Sequence, residues 1–186
     1  MNEEKFWELI QDAAKQSDGV MDVKCERVKV AINHLSIEDA KIFSGIFDDK
    51  MDRAYSWPLW GAAYVMGGGC SDDTFIDFRS SLISRGKEKF DEALSNPDSL
   101  ASEEFDEDAW FFEGFQYAVA ESVESVIGAA LPRNSPHPKD PSGTPWDEDS
   151  DELKAKYPKL WIAFEDNWSA PEQSFSPESK PWWKFW

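Results

Sequence analysis

The residues with the clearest chemical potential lie within positions 55–86, and they are carboxylates at the start of a helical pattern. Asp72 and Asp73 are adjacent, and Asp77 follows about one helical turn later. Carboxylate oxygens are ligands for hard divalent cations. A few carboxylates on one helix do not complete a metal site, because the remaining ligands would have to come from elsewhere in the fold.

The same aspartates also have a purely structural explanation. Ser71 is an N-cap candidate whose hydroxyl can accept a bond from a backbone N–H of the first turn. Asp72 and Asp73 then fall in that turn, where negative charge meets the positive end of the helix dipole. Capping with surface charge is therefore the favoured interpretation. A metal-dependent pocket with Tyr64 and Arg79 nearby is the alternative.

Cys70 immediately precedes this helix start. A helix N-terminus lowers the pKa of a thiol, but Asp72 and Asp73 oppose that effect. A free cysteine is most often an inert buried residue, so a reactive thiol is the lesser alternative. The glycines before the helix do not indicate a phosphate loop either, because no lysine follows them. No catalytic residue and no cofactor is predicted.

Two helices must position these residues. Trp57, Trp60 and Tyr64 are spaced by three or four positions, and Pro58 suits a first helical turn. This pattern predicts a short apolar helix over positions 58–66, and a helix that is apolar all round is usually buried. The next helix presents one apolar face, consisting of Phe75, Phe78, Leu82 and Ile83.

A glycine triplet joins the two helices. Gly67, Gly68 and Gly69 end the first helix, because glycine adopts the left-handed conformation of a C-cap without steric cost. We therefore expect a positive φ at one or more of the three. Together with Ser71, they are predicted to form a structural turn and cap rather than a catalytic element.

The string LWGAAYVMGGGCSDDTFIDFRSSLISRG resembles a family of uncharacterised bacterial proteins, catalogued as domain of unknown function 4240. The opening MNEEKFWELI and the later NPDSL fit the same family. The resemblance extends over about residues 1–130. It implies a soluble, mostly helical bacterial domain, and it brings no established activity and no catalytic residues.

Helical spacing and capping residues recur along the body, which predicts an all-α, compact multi-helix domain. The segment over positions 20–34 also contains the strand-like run VKVAI, so a strand is its alternative. If this segment is a helix, we expect four apolar residues to face inward, namely Val23, Val28, Ile32 and Leu35.

Composition divides the chain into four parts. A helical domain is predicted over residues 1–130, and a Pro-rich extended connection over 131–150. A C-terminal helix over 151–168 is expected to pack on the body, stopped or kinked at Pro158. Residues 169–186 form a linker and an aromatic tail.

The tail ends in WWKFW, and its aromatic residues are predicted to be partner-binding. So apolar a segment needs a docking place. That place is a groove of the same chain, a partner protein for which tryptophan is a favoured anchor, or a membrane surface contacted weakly. The residues concerned are Trp182, Trp183, Phe185 and Trp186.

The 186 residues include 37 acidic and 19 basic ones, and the formal net charge is −18 at pH 7. This charge argues against binding of nucleic-acid phosphates and favours basic partners. The two cysteines are too few for a disulfide scaffold. Neither a signal peptide nor an apolar run long enough for a membrane span is visible, so a cytoplasmic location is expected.

These observations favour an acidic interaction module, such as an inhibitor or immunity-type partner of a basic protein. The alternative is an enzyme with a carboxylate-lined, metal-dependent pocket near Asp72 and Asp73. Because no catalytic signature is present, the enzyme hypothesis is the weaker of the two.

Overall fold

The computed structural model describes residues 1–148 and 150–168, and these residues contain ten α-helices, two short 3₁₀ helices and no β-strand. The all-α prediction is confirmed. The 3₁₀ helices are Pro97–Ser102 and Glu165–Trp168. The α-helices are α1 Glu3–Lys15, α2 Met21–Asn33, α3 Ile37–Arg53, α4 Trp57–Gly67, α5 Asp72–Ile83, α6 Lys87–Ser95, α7 Glu107–Trp110, α8 Gly114–Ile127, α9 Ser150–Lys156 and α10 Pro158–Ala163.

Short polar side chains begin several of these helices. Asn2 accepts a hydrogen bond from the Lys5 N–H at 2.9 Å, and Ser36 accepts one from the Asp39 N–H at 3.1 Å. Each bond satisfies a backbone donor that the helix itself leaves unpaired. Such caps contribute about 1 kcal/mol each, so the sequence alone defines where these helices start.

The segment that could have been a strand is helix α2. It packs against α1 and α8, and its buried row includes Lys24, Val28 and Ile32. The inward prediction is correct for Val28 and Ile32 but wrong for Val23, which is 38% exposed. Leu35 is only partly buried. The two neighbours of α2 cover the row that contains Lys24, and Val23 lies off that row.

Helix α4 is the buried centre of the fold. The Trp60 ring stacks on Phe75 of α5 with 4.8 Å between centroids, and its Nε1 donates to the Cys70 carbonyl at 3.0 Å. Gly68 is the C-cap of α4 with a φ of 62°, and Gly69 has a φ of 140°. The glycine turn thereby delivers the chain directly into α5.

The connection after α8 lies along the body without forming a helix up to residue 148. Ser142 exchanges backbone hydrogen bonds of 2.9 Å with Tyr55 and Trp57, and the two segments form an isolated parallel bridge there. The Trp146 Nε1 donates to the Trp57 carbonyl at 2.9 Å. These bonds hold the connection beside the start of α4.

Two short helices follow, and the second of them, α10, packs against α4. Pro158 is the first residue of α10, so it separates α9 from α10. The Tyr157 hydroxyl donates to the Pro58 carbonyl at 2.8 Å, and Leu160 is fully buried. The Asp98 carboxylate accepts from the Leu160 N–H at 3.0 Å, which fixes the start of α10 to the first 3₁₀ helix.

Candidate functional site

The aspartates predicted as metal-ligand candidates lie on α5 but have different surroundings. Asp72 and Asp73 are exposed in the first turn, and Ser71 caps that turn by accepting the Thr74 N–H at 3.2 Å. Asp77 is half-buried and accepts from the Gln116 Nε2 of α8 at 3.0 Å. Burial raises the pKa of Asp77 to about 6, and the nearby carboxylates of Glu113 and Asp73 add to this effect.

No group of three or more His, Cys, Asp or Glu side chains able to hold a metal ion occurs within residues 1–148 and 150–168. The metal site near Asp72 and Asp73, which was the alternative interpretation of the sequence, stays a prediction. Arg79, which the sequence suggested as a neighbour of that site, is 1% exposed. Tyr64 packs against Trp146 with 4.9 Å between ring centroids.

Both cysteines are free and buried. Burial raises the pKa of the Cys70 thiol to about 12 and that of Cys25 to about 11. Both sulfurs are therefore protonated thiols at neutral pH, which is the inert state. The tail residues Trp182, Trp183, Phe185 and Trp186 lie outside the described residues, so their role stays a prediction.

A cleft of about 450 Å³ opens between the α1–α2 turn and the segment around α7. We call it the acidic cleft. Arg85 contributes a guanidinium group, and Phe112 and Ala109 contribute apolar surface. Five exposed carboxylates also line it, and they come from two separate stretches of the chain: Asp18, Asp22, Glu104, Asp106 and Asp108.

Local structure explains how each stretch is held. Asp18 has a φ of 46° in the turn after α1, a left-handed conformation that aspartate tolerates better than most residues. Asp106 caps α7 by accepting the Asp108 N–H at 3.1 Å. Trp110 is fully buried, and its Nε1 donates to the Glu104 carbonyl at 3.1 Å. This tryptophan anchors the acidic stretch to the core.

Arg85 lies at the base of the acidic cleft. Its guanidinium carbon is 3.6 Å from the Trp110 ring centroid, a cation–π arrangement. Its Nε is buried and has no hydrogen-bond partner among the described residues. Burial lowers the pKa of Arg85 to about 10, and the charges of Glu103 and Asp106 oppose that shift.

A second buried cation lies close to Arg85. Lys24 is 4% exposed, and its Nζ donates to the Ser84 Oγ at 3.2 Å. Burial lowers the pKa of Lys24 to about 8, and the neighbouring positive charge of Arg85 adds to the shift. The cleft thus combines the Arg85 guanidinium with exposed carboxylates at its rim, and Lys24 lies buried close to Arg85.

The rim carboxylates are not neutralised by ion pairs. In the part of the chain that the structure describes, none of the five lies within 4.0 Å of a Lys or Arg nitrogen. Val20 lines the same cleft and is 52% exposed. Val23 and Val30 are exposed further along α2, beside a shallow depression that shares Asp22 with the acidic cleft. Charge and apolar surface are therefore continuous here.

The sequence contains two segments that form this cleft, but it does not show that they lie side by side in the fold. Positions 17–19, Ser-Asp-Gly, have the composition of a turn, and positions 103–108 form an acidic run. Nothing in their spacing indicates contact, because they are far apart in the chain. The packing of Arg85 and Trp110 between them was also not foreseeable from helical periodicity.

Comparison with family models matches residues 1–125 to the model described as "Protein of unknown function (DUF4240)". The chain belongs to this family. The resemblance seen in the sequence is thus confirmed, and the matched region contains every residue of the acidic cleft. Comparison with curated proteins and with solved structures yields no match. Among the described residues, no helix is both long enough and apolar enough to cross a bilayer.

Proposed function

We propose that this protein is an acidic, cytoplasmic protein-interaction module whose acidic cleft binds a basic partner protein. The observation that carries the proposal is the convergence on one cleft of five exposed carboxylates that form no ion pair with any described residue. The partner places Lys or Arg side chains between them and apolar side chains against Val20 and Val23. An inhibitor or immunity-type partner of a basic protein is the expected class.

Electrostatics supports this assignment. A net charge of −18 attracts a basic partner over several ångströms and raises the association rate. Salt screens such attraction over a Debye length of about 8–10 Å near physiological ionic strength. The apolar surface of α2 adds a hydrophobic contribution to the binding free energy, and salt does not screen this contribution. It also supplies the desolvated centre that interfaces need. Free, buried Cys25 and Cys70 fit a reducing compartment.

The experiment compares three baits in affinity purification from the native cell. The cleft variant carries Asp18→Asn, Asp22→Asn, Glu104→Gln and Asp108→Asn, and it keeps Asp106 as the α7 cap. The control variant makes the same charge change at exposed carboxylates that do not line the cleft: Glu88→Gln, Glu92→Gln, Glu121→Gln and Glu124→Gln. We expect a basic protein to be retained by the parent and the control but lost by the cleft variant.

The recovered protein is then purified and titrated calorimetrically against all three chains. Its Kd for the parent should rise about tenfold or more when salt increases from about 50 mM to about 300 mM. Equal Kd values for the cleft and control variants would show that net charge, and not the cleft, determines binding. Identical proteins on all three baits would reject the proposal.

One observation favours the second hypothesis, an enzyme with a metal-dependent pocket near Asp72 and Asp73. The pKa of Asp77 is raised to about 6, and perturbed carboxylates concentrate at functional sites. Titration calorimetry with Mg²⁺, Mn²⁺, Ca²⁺ and Zn²⁺ tests it, with Asp77→Asn as the comparison. No heat of binding together with an unchanged melting temperature rejects this hypothesis.

The aromatic tail is a further expected contact, with a partner protein or weakly with a membrane surface. Truncation after Ser169 tests it. A large fall in melting temperature indicates docking on the same chain, whereas unchanged melting with loss of a co-purifying protein indicates recognition. If melting, co-purifying proteins and vesicle binding are all unchanged, the tail has no such role.

A further inference from the structure

A second cavity, of about 280 Å³, lies on a different part of the molecule from the acidic cleft. Helices α3, α5 and α8 form its walls, and the connection after α8 crosses its mouth with Arg133 and His137. Its volume is just below the range of about 300–1,000 Å³ that is usual for drug-sized ligands. Any occupant is therefore a small molecule. We call this cavity the arginine pocket.

Arg79 is the central polar group of the arginine pocket. It is 1% exposed, and its Nε and Nη1 donate to the carbonyls of Phe75 at 3.3 Å and Met51 at 2.9 Å. A guanidinium group has five N–H donors, and these bonds use two. Within the described residues Arg79 has no carboxylate in ion-pair distance. The more distant carboxylates of Asp72 and Asp52 offset only part of the desolvation cost of this buried cation, and a directly bound anionic ligand would offset more of it.

The guanidinium of Arg79 is held rigidly. Its carbon lies 4.7 Å from the Tyr55 ring centroid and 5.0 Å from that of Phe75. The rings and the two carbonyl bonds fix the plane of the group, so the remaining donors need no reorganisation to bind a ligand. Burial lowers the pKa of Arg79 to about 10, which leaves it charged at neutral pH.

The rim of the pocket carries both signs of charge. Arg133 forms ion pairs with Asp52 at 2.7 Å and with Asp48 at 3.7 Å. His137 packs edge-on against Tyr55 at 4.9 Å, and its Nδ1 donates to the Pro138 carbonyl at 2.7 Å. Asp48 itself lines the cavity, so its negative charge disfavours a doubly charged ligand such as phosphate and tolerates a singly charged one.

Apolar side chains make up most of the remaining wall, namely Phe47, Met51, Ile76 and Val119. They cannot hydrogen-bond to a small inorganic anion, but they can bury a short hydrocarbon body. One rigid guanidinium group and an apolar wall are the elements that recognise a carboxylate carried by such a body.

We propose that the arginine pocket binds a small organic monocarboxylate, with its carboxylate on Arg79 and its hydrocarbon part between α3, α5 and α8. Arg133 and His137 lie over the bound molecule. This site is separate from the acidic cleft, and the proposal for it does not depend on whether the cleft binds a protein.

The test measures thermal stabilisation and calorimetric binding of the full chain with butanoate, hexanoate and octanoate as probes. Hexanol and inorganic phosphate are the matched controls, the first lacking the charge and the second lacking the hydrocarbon. We expect at least one carboxylate to raise the melting temperature in proportion to its concentration, and neither control to do so. No stabilisation by any of the carboxylates overturns the proposal, as does equal stabilisation by hexanol or by phosphate.

Two variants locate the binding. Arg79→Gln removes the charge and should weaken the best carboxylate about tenfold or more. Ala120→Phe narrows the cavity at an exposed position on α8, so it tests the site even if Arg79→Gln does not fold. Arg27→Gln, exposed on α2, is the charge-matched control and should bind like the parent. Undiminished binding by Ala120→Phe, or equal losses in Arg27→Gln and Arg79→Gln, would refute the assignment.

Discussion

Arg79 and Arg85 lie close together in the sequence, one on α5 and one just after it, yet the fold balances their charges differently. Arg79 is 1% exposed and donates to two backbone carbonyls. Arg85 is half-buried and has a buried Nε without a described partner. Burial lowers the pKa of each to about 10. Arg79 faces a mostly apolar pocket, whereas Arg85 faces the carboxylates of the acidic cleft.

The difference shows two ways to keep a cation inside a small helical domain. Short-range hydrogen bonds fix Arg79 in one geometry, and salt does not screen them. The charges of Glu103 and Asp106 stabilise Arg85 through a field that salt weakens. The first arrangement leaves a rigid, selective donor, and the second leaves an adaptable acidic surface. Each of the two proposals uses one of these properties.

The largest effect is expected for Arg79→Ala, which should lower the free energy of unfolding by about 3 kcal/mol or more. The change removes the side-chain hydrogen bonds to the carbonyls of Met51 and Phe75 and opens a cavity. Urea denaturation of parent and variant measures the loss. Arg79→Met keeps more of the volume and should cost less, and Arg27→Ala should stay within about 0.5 kcal/mol. A smaller loss for Arg79→Ala than for Arg85→Ala would contradict the comparison.

A smaller loss, about 1–2 kcal/mol, is expected for Arg85→Ala, because it removes a partly exposed cation–π contact with Trp110. Repeating the urea series in about 1 M salt sharpens the comparison. The cost of Arg85→Ala should shrink, since salt already weakens its attraction to the carboxylates. The cost of Arg79→Ala should hardly change. Equal salt dependence of the two would show that both cations are balanced in the same way.

Lys24→Met should raise stability at pH 7 by about 1 kcal/mol, because it replaces a buried cation by an apolar chain of similar length. The folded-state pKa of Lys24 is lowered to about 8 from 10.5. Between these values the unfolded chain holds the proton and the folded chain does not, so the parent gains stability as pH rises. The advantage of Lys24→Met should therefore shrink from pH 8 upward, as followed by urea denaturation. If the difference in stability between Lys24→Met and the parent did not change with pH, the lowered pKa of Lys24 would be ruled out.

The smallest effect is expected for Asp77→Asn below about pH 3, where Asp77 is protonated in both the folded and the unfolded chain. There the variant, whose amide oxygen can still accept the hydrogen bond from Gln116, should change stability by less than about 1 kcal/mol. The pKa of Asp77 is raised to about 6 from 3.8. Between these values the folded chain holds the proton, so this group makes the parent lose stability as pH rises from 3.8 through 6. The free energy of unfolding of Asp77→Asn should not show this decrease between pH 3.8 and 6. Parallel stability curves for parent and variant would contradict the raised pKa.

The sequence by itself determined the class of fold and many boundaries of its helices. Asn2, Ser36 and Ser71 accept backbone N–H groups at the helix starts where capping chemistry predicts them. These features depend on neighbours within about one helical turn, which the sequence states directly. The glycine turn after α4 is of the same kind, since Gly68 adopts the left-handed conformation that a C-cap needs.

Only the tertiary structure decided which polar residues would be buried and which would meet. Periodicity on α2 favoured Val23 as an inward residue, but the packing of α1 and α8 buries Lys24 instead. Arg79 lies among the apolar residues of α5 in the sequence, and its burial depends on α3, whose Met51 carbonyl accepts its hydrogen bond. Asp18 and Asp106 line one cleft only because Trp110 anchors the later segment. A residue's burial depends on elements far away in the chain, and helical spacing carries no information about them.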